Sequence, residues 1–459
     1  MTAFFAAEAL LPTGWARDVR IEVDAGGAIT EVLGDSSAGG AERLRGPTLP
    51  GLCDVHCHAF QRAMAGLAEQ RANGDATFWS WRDLMYAFVD RVEPDDLQAI
   101  ASQLYVELLK GGFTSVCEFH YLHHARDGRP YANAAEMSDR IVAAAAASGI
   151  GLTLLPVLYM ASDFGGQPLQ PGQRRFAGTP ERVGRLIERL SEAARSNPTL
   201  GFGVAPHSLR AVPPAELAEC VRMLDAIDAT APIHIHVAEQ AKEVEDCLAW
   251  SRRRPVEWLE EHHELTSRWC LVHATHMTEA ETERLAYCGA IAGLCPTTEA
   301  NLGDGWFPLA QYLEASGSFG IGSDSNVSVS AIEELRWLEY GQRLAQRRRT
   351  IAATATTRSV GRALYQYALA GGAKAAGRPI AGIAPHQRAD FLVLDAEAPF
   401  LVTKAGDALI DGLIFGGNAN PIRDVFVGGH ALITDWRHFD EAQIFADFKR
   451  TVARLQCTE

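Results

Sequence analysis

The sequence is poor in the features that would take a chain to a membrane, a nucleic acid or an oxidising compartment. Its nine cysteines (Cys53, Cys57, Cys117, Cys220, Cys247, Cys270, Cys288, Cys295 and Cys457) are odd in number and show no Cys-x-x-Cys spacing. That argues against a disulfide framework or a thiolate zinc site and fits reduced thiols acting as small core residues. No apolar run is long enough to span a bilayer, and residues 1–12 carry no basic n-region, so the expected location is the cytosol. Cations are in deficit: 42 Lys and Arg against 57 Asp and Glu leave a formal net charge of -15. This excess argues against non-specific nucleic-acid binding and against an anionic membrane surface. A local pair of arginines can still bind an anion inside an acidic protein.

What is present is a globular composition, 47% apolar and 22% charged, in a chain of 459 residues, more than one ordinary core holds. Up to residue 48 short β-type runs at 18–23 and 28–33 are separated by glycine-rich turns. From 49 the texture changes to short apolar runs alternating with long helical patterns. Eight strand candidates follow in order: 51–56, 115–119, 152–158, 201–205, 233–237, 270–273, 290–295 and 319–323. Several read as continuous apolar runs, as strands buried on both faces do. Helical stretches at 95–110, 137–148, 180–196, 214–228 and 279–287 lie between them. Eight such units predict an α/β fold, a (β/α)8 barrel over 49–378. From 379 the pattern returns to β character at 390–395 and 424–427, so 1–48 and 379–459 are read as one small β-sandwich built from both termini, closed by a terminal helix.

The informative triplet is His56-Cys57-His58. Side chains alternate along a strand, so both imidazoles share a face and Cys57 points away, a packed residue with no part in the chemistry. In a barrel the active site gathers at the C-terminal ends of the strands. His56 and His58 fall there on strand one, His207 after strand four, His236 and Glu239 at and beyond strand five, His273 on strand six, and Asp324 after strand eight. Three imidazoles and one carboxylate, His56, His58, His236 and Asp324, suit a borderline cation such as Zn²⁺, with Fe²⁺ or Mn²⁺ as alternatives. Such a cation lowers the pKa of bound water to about 7, which points to hydrolysis. A two-metal site would want a bridging Lys at the end of strand four. That end reads Ala205-Pro206-His207-Ser208, so one ion per chain is expected. Glu239 reads as a proton shuttle between water and a leaving nitrogen, or else as a helix-start carboxylate. His273 reads as a partner of the water or developing oxyanion, or else as a structural histidine. His234 is left out of the set and is expected to face away.

With these residues in place the chain resembles the amidohydrolase superfamily over most of its length. The matching segments are His56-x-His58, His236-Val237-Ala238-Glu239, Val272-His273-Ala274 and Gly322-Ser323-Asp324-Ser325. The run His236-Val237-Ala238-Glu239 is similar to the mononuclear deaminase branch, in which the glutamate transfers protons. A narrower resemblance, to the formimidoylglutamate deiminase family, is carried by the runs 58–66, 78–82, 118–124 and 206–210. It implies hydrolysis of N-formimino-L-glutamate to N-formyl-L-glutamate and ammonia in histidine degradation. It also implies a substrate pocket lined by Gln61, Arg82, Tyr121, His207 and Arg210, on loops beyond strands one, two and four. A dicarboxylate independently calls for arginine, whose planar fork matches a carboxylate, whereas Arg82 and Arg210 could each also be surface ion-pair residues. The expected partner is thus a small anionic amidine, and the expected assembly a homodimer. The competing readings are a zinc deaminase of a purine or pterin, and a metal-free barrel serving as an oligomeric scaffold.

Overall fold

The computed structural model describes residues 2–69 and 78–456. Parallel strands Leu52–Cys57, Phe113–His120 and Gly151–Leu158 lie side by side, and Ile233–Val237, Trp269–His273, Ile291–Leu294 and Ser318–Ile321 continue the same sheet. The last of these pairs back to the first at Ile321 and Asp54. The fourth strand is broken into Leu200–Phe202 and Ala205–Pro206, both against Gly151–Leu158. Its other edge meets the fifth strand through single bridges, Val204 to Ile233 and Ser208 to His236, which close an eight-stranded barrel. The break at 203–204 falls where an unbroken 201–205 was expected, and there the Val204 N–H donates to the Pro232 carbonyl instead. Barrel strands such as Leu52–Cys57, Phe113–His120 and Gly151–Leu158 are buried at every position, the signature of sheets covered on both faces.

The covering helices start and stop on local chemistry. Pro180–Ala194 is capped by the Thr179 hydroxyl, which accepts from the Arg182 N–H, with Pro180 at the first helical position. Glu279–Cys288 opens on a Thr278/Glu281 capping box and ends at Gly289 in the left-handed region.

Strands from both termini form a second sheet of nine strands. Thr2–Leu11 and Gly14–Val23 make an antiparallel hairpin, and Phe391–Leu394 pairs with Thr48–Pro50 from the other end of the chain. Strand Thr48–Pro50 therefore carries the terminal sheet two residues past residue 48. The sheet curls on itself, Ala28 bridging Arg388, around a separate core in which the rings of Phe391 and Phe426 each sit 5.3 Å from that of Phe4. The helix Glu441–Gln456 returns to the barrel, where Glu441 pairs with Lys110 of helix Pro94–Lys110. All eight cysteines among the described residues are free, and seven are buried; Cys457 lies outside the described residues. No helix among those residues is long and apolar enough to cross a membrane.

Candidate active site

Four side chains, from the ends of the first and fifth strands and the turn after the eighth, converge at the C-terminal mouth of the barrel. His56 lies in the first strand, His58 directly beyond it, His236 in the fifth, and Asp324 three residues past the eighth. One ligand atom from each falls within 4.8 Å of the other three, and all four residues are buried. Asp324 Oδ1 lies 3.5 Å from His56 Nε2 and 3.4 Å from His58 Nε2.

The surrounding hydrogen bonds aim the rings. The Nδ1–H of His58 donates to the Phe119 carbonyl at 3.0 Å, and the Nδ1–H of His236 donates to the His207 carbonyl at 3.0 Å. Each bond consumes the proton on Nδ1 and leaves the Nε2 lone pair for an electrophile, the usual arrangement of metal-binding histidine. Both ring nitrogens of His56 are buried with no hydrogen-bond partner among the described residues. Burial pushes the imidazoles toward the neutral, ligating form: His56 falls to about 3, and His58 and His236 also fall below their ordinary value. Asp324 is raised by burial but lowered more by His56, His273 and His58, so it stays an anion. A buried cluster of neutral imidazoles with unused lone pairs around one carboxylate fits a divalent cation.

His273 and Glu239 stand beside this cluster. His273 Nε2 is 3.7 Å from Glu239 Oε1 and 3.7 Å from Asp324 Oδ2, while its Nδ1 faces Glu299 Oε1 at 3.3 Å. Burial lowers the His273 pKa, but Glu239, Glu299 and Asp324 outweigh it and lift the ring to about 10. Burial pushes Glu239 up to about 7, against the pull of His273 and Arg210. Glu239 itself sits where the backbone N–H groups of Ala238 and Glu239 donate to the Glu243 carboxylate at 3.3 and 3.2 Å. Ala238, His273 and Asp324 all have positive φ (50°, 68° and 48°). Such strain costs about 1–3 kcal/mol per residue and persists where packing over-determines it, as at sites of chemistry.

Asp54, two residues before His56, holds the floor of the site. Its carboxylate accepts from the N–H of His56 (3.2 Å) and from the N–H and hydroxyl of Ser323 (3.1 and 2.6 Å), tying the first strand to the eighth. A Cβ on Gly322 would stand 2.8 Å from both the N and the O of His56, so the turn that delivers Asp324 has room for glycine alone.

Above the cluster opens a cavity, and all five expected substrate-pocket residues, Gln61, Arg82, Tyr121, His207 and Arg210, line it. Gln61 Nε2 donates to the Tyr121 hydroxyl at 2.9 Å. Arg210 is buried and Arg82 half-buried, and the Nε of each has no partner among the described residues. The guanidinium of Arg82 lies 4.4 Å from the centre of the Trp79 ring, a cation–π contact that holds it in place.

Two placements differ from expectation. Arg82 is carried by the helix Phe78–Val89, not by a loop, and Gln61 by the 3-10 turn Ala59–Met64. Met85, Phe88 and Val89 are buried along one side of that helix, spaced as a helix requires. Sequence reading also missed Glu299, Glu243 and Asp54 as supports, and Tyr86, Tyr159 and Phe176 as cavity wall. Asp54 was within reach of the same alternation that singled out His56 and His58. His234 stays out of the cluster, not by facing away as expected but by lying two residues earlier on the same face of the strand, where its Nε2–H donates to the Ala375 carbonyl at 2.8 Å.

At the end of the fourth strand the chain offers His207 and Ser208 and no lysine, the bridging ligand expected of a two-metal site. Elemental analysis after gel filtration should find about one divalent ion per chain. Two tightly held ions would contradict the single site.

Residues 48–432 match the model of the amidohydrolase family, and residues 1–46 that described as "Formimidoylglutamate deiminase HutF, N-terminal domain". The chain is 52% identical to the formimidoylglutamate deiminase of Pseudomonas aeruginosa over 458 residues, covering 99% of this chain and 100% of that protein. Among solved structures, an amidohydrolase from Brucella melitensis superposes with a TM-score of 0.95 at 49% identity over 100% of both chains. An adenosine deaminase from Xanthomonas campestris with bound zinc reaches 0.81 at 21% identity, over 99% of this chain and 98% of that one, a likeness of fold alone.

Proposed function

This chain belongs to the amidohydrolase family, and we propose that it is a formimidoylglutamate deiminase, hydrolysing N-formimino-L-glutamate to N-formyl-L-glutamate and ammonia in cytoplasmic histidine degradation. The observation that carries the substrate is the placing of Arg82 and Arg210 in one cavity above the His56, His58, His236 and Asp324 cluster. A purine or pterin has no carboxylate to meet either guanidinium.

Zinc is the metal proposed, with Fe²⁺ or Mn²⁺ as the alternatives the same donors hold. When bound by these four residues it would act as a Lewis acid that brings the pKa of water to about 7. The chain's own groups do the rest. Arg82 and Arg210 hold the substrate carboxylates by charge-assisted hydrogen bonds and so set the formimino carbon over the cluster. Glu239 takes a proton as water oxygen adds to that carbon and gives it to the terminal nitrogen, then passes on the remaining hydroxyl proton as the carbonyl forms, so the carbon–nitrogen bond breaks with both water protons carried off on ammonia. His273, held cationic between carboxylates and anchored on Nδ1 by Glu299, presents Nε2 to the oxygen that becomes the formyl carbonyl. Asp324 orients the attacking oxygen and Gln61, Tyr121 and His207 complete the wall around the substrate.

Arg82→Met or Arg210→Met should lower kcat/KM for N-formimino-L-glutamate by about 10²-fold, roughly 3 kcal/mol, because an anion is left badly paired in a shielded pocket. Metal content should stay unchanged. Variants with wild-type kcat/KM would sink the dicarboxylate reading. The assembly proposed is a homodimer. Trp337, Tyr340 and Leu344, exposed at helical spacing along Ala331–Gln346, support it, and a monomer in sedimentation at micromolar concentration would contradict it.

A further inference from the structure

Two tyrosines of the cavity wall, Tyr86 and Tyr159, have their hydroxyls joined to one buried amide, Gln173. Gln173 is fully buried, outside the cavity lining, in the 3-10 turn Pro171–Gln173. Its orientation is not free. The backbone N–H of Gln170 can only donate, and it meets Gln173 Oε1 at 2.9 Å, so that atom is the amide oxygen and the other is the NH2. The two hydrogens on Nε2 then go to the phenolic oxygens of Tyr159 at 3.0 Å and Tyr86 at 3.2 Å.

Each phenol oxygen therefore accepts from Gln173 and must donate its own O–H elsewhere. At most one of the two protons can be spent between the phenols, so at least one is left for a ligand. The rings are held as firmly as the amide. Tyr159 packs edge-on to His207 with centroids 4.6 Å apart, and a Cβ on Gly172 would lie 2.9 Å from Tyr86 Cδ2, so the turn rests directly on that ring. Tyr86 also carries the Arg82 guanidinium, 5.6 Å from its ring centre. Fixed O–H donors beside two arginines form a pocket for a carboxylate, with neutral donors adding direction to the charges.

We propose that Gln173 is a positioning residue for substrate binding: by occupying the acceptor side of Tyr86 and Tyr159 it turns their O–H groups toward a substrate carboxylate held by Arg82 and Arg210. The inference rests on the proposed function for the identity of the dicarboxylate. It adds a specificity device beyond the five pocket residues: an amide that never touches substrate but sets the polarity of the wall.

The test is steady-state kinetics of the metal-loaded enzyme with N-formimino-L-glutamate and with N-formimino-glycine and N-formimino-γ-aminobutyrate, each of which lacks one carboxylate. Gln173→Met should raise KM for the dicarboxylate by about 10-fold with kcat within about 2-fold. Gln173→Glu should raise it by about 10²-fold, because a carboxylate can only accept and draws both O–H groups away from the cavity. The Tyr86→Phe/Tyr159→Phe double variant keeps both rings and should cost about as much as Gln173→Met, and adding Gln173→Met to it should cost little more. For the truncated substrate that lacks the carboxylate at the phenols, the penalty should vanish. Calorimetric titration of the same proteins with glutarate reads the pocket without turnover, so failure of the deiminase reading and failure of the Gln173 role are told apart. An equal penalty on all three substrates, full additivity of the variants, or unchanged glutarate affinity in Gln173→Met would each overturn the role of Gln173.

Discussion

His236→Ala is expected to lose metal and activity together. His236 is one of only three imidazoles in the cluster, and its Nδ1–H is already committed to the His207 carbonyl, so Nε2 has no other use. Removing it takes one of four donors from a buried site whose other three ligands are fixed by their strands and cannot close the gap, so the ion is held far less tightly. Without the cation the water near the cluster returns to its ordinary, far higher pKa, and deimination should fall by about 10³-fold or more. His234→Ala is the matched control, two residues earlier on the same face but outside the cluster, with its ring bonded to the Ala375 carbonyl. It should keep the metal. Elemental analysis and ammonia release on both variants decide the matter, and a His236→Ala protein that retains its ion and its turnover would show the ligand set to be wrong.

Glu239→Gln should separate proton transfer from metal binding. The substitution keeps shape and removes the ability to carry a proton, in a carboxyl that burial has brought to about 7, close to the operating pH of a neutral-pH enzyme. We expect kcat to fall by about 10² to 10⁴-fold, the range for losing a positioned acid or base, with metal content and KM little changed. Normal turnover would remove Glu239 from the mechanism. Loss of metal would make it a ligand instead.

The metal cluster was legible in the sequence because its chemistry follows from alternation and from barrel topology. His56 and His58 share a face by the period of a strand, and His236, His273 and Asp324 were recognisable as polar positions ending or following apolar runs. The supports were not legible. Glu299 comes from helix Pro296–Leu302 after the seventh strand, and Gln173 from a short turn between the third and fourth; both reach the site only through the folded backbone. The pocket arginines are legible only through the resemblance, and the helix Phe78–Val89 that carries Arg82 is masked in the sequence by the aromatic residues at its start. At the N-terminus the strand Thr2–Leu11 was overlooked because its alanines and leucines favour helix. Its pairing along Gly14–Val23, from Thr2 opposite Val23 to Leu11 opposite Gly14, overrides that propensity.

The central claim, that this site hydrolyses a dicarboxylate amidine, is tested most directly by ammonia release from N-formimino-L-glutamate set against adenosine, guanine and cytosine with the zinc-loaded enzyme. Two arginines in the cavity above the ligand cluster predict rapid release from the formimino acid, with none above background from the three nucleobase compounds. Release from a nucleobase compound with none from the formimino acid would contradict the assignment, while leaving the barrel and its ligand cluster as described.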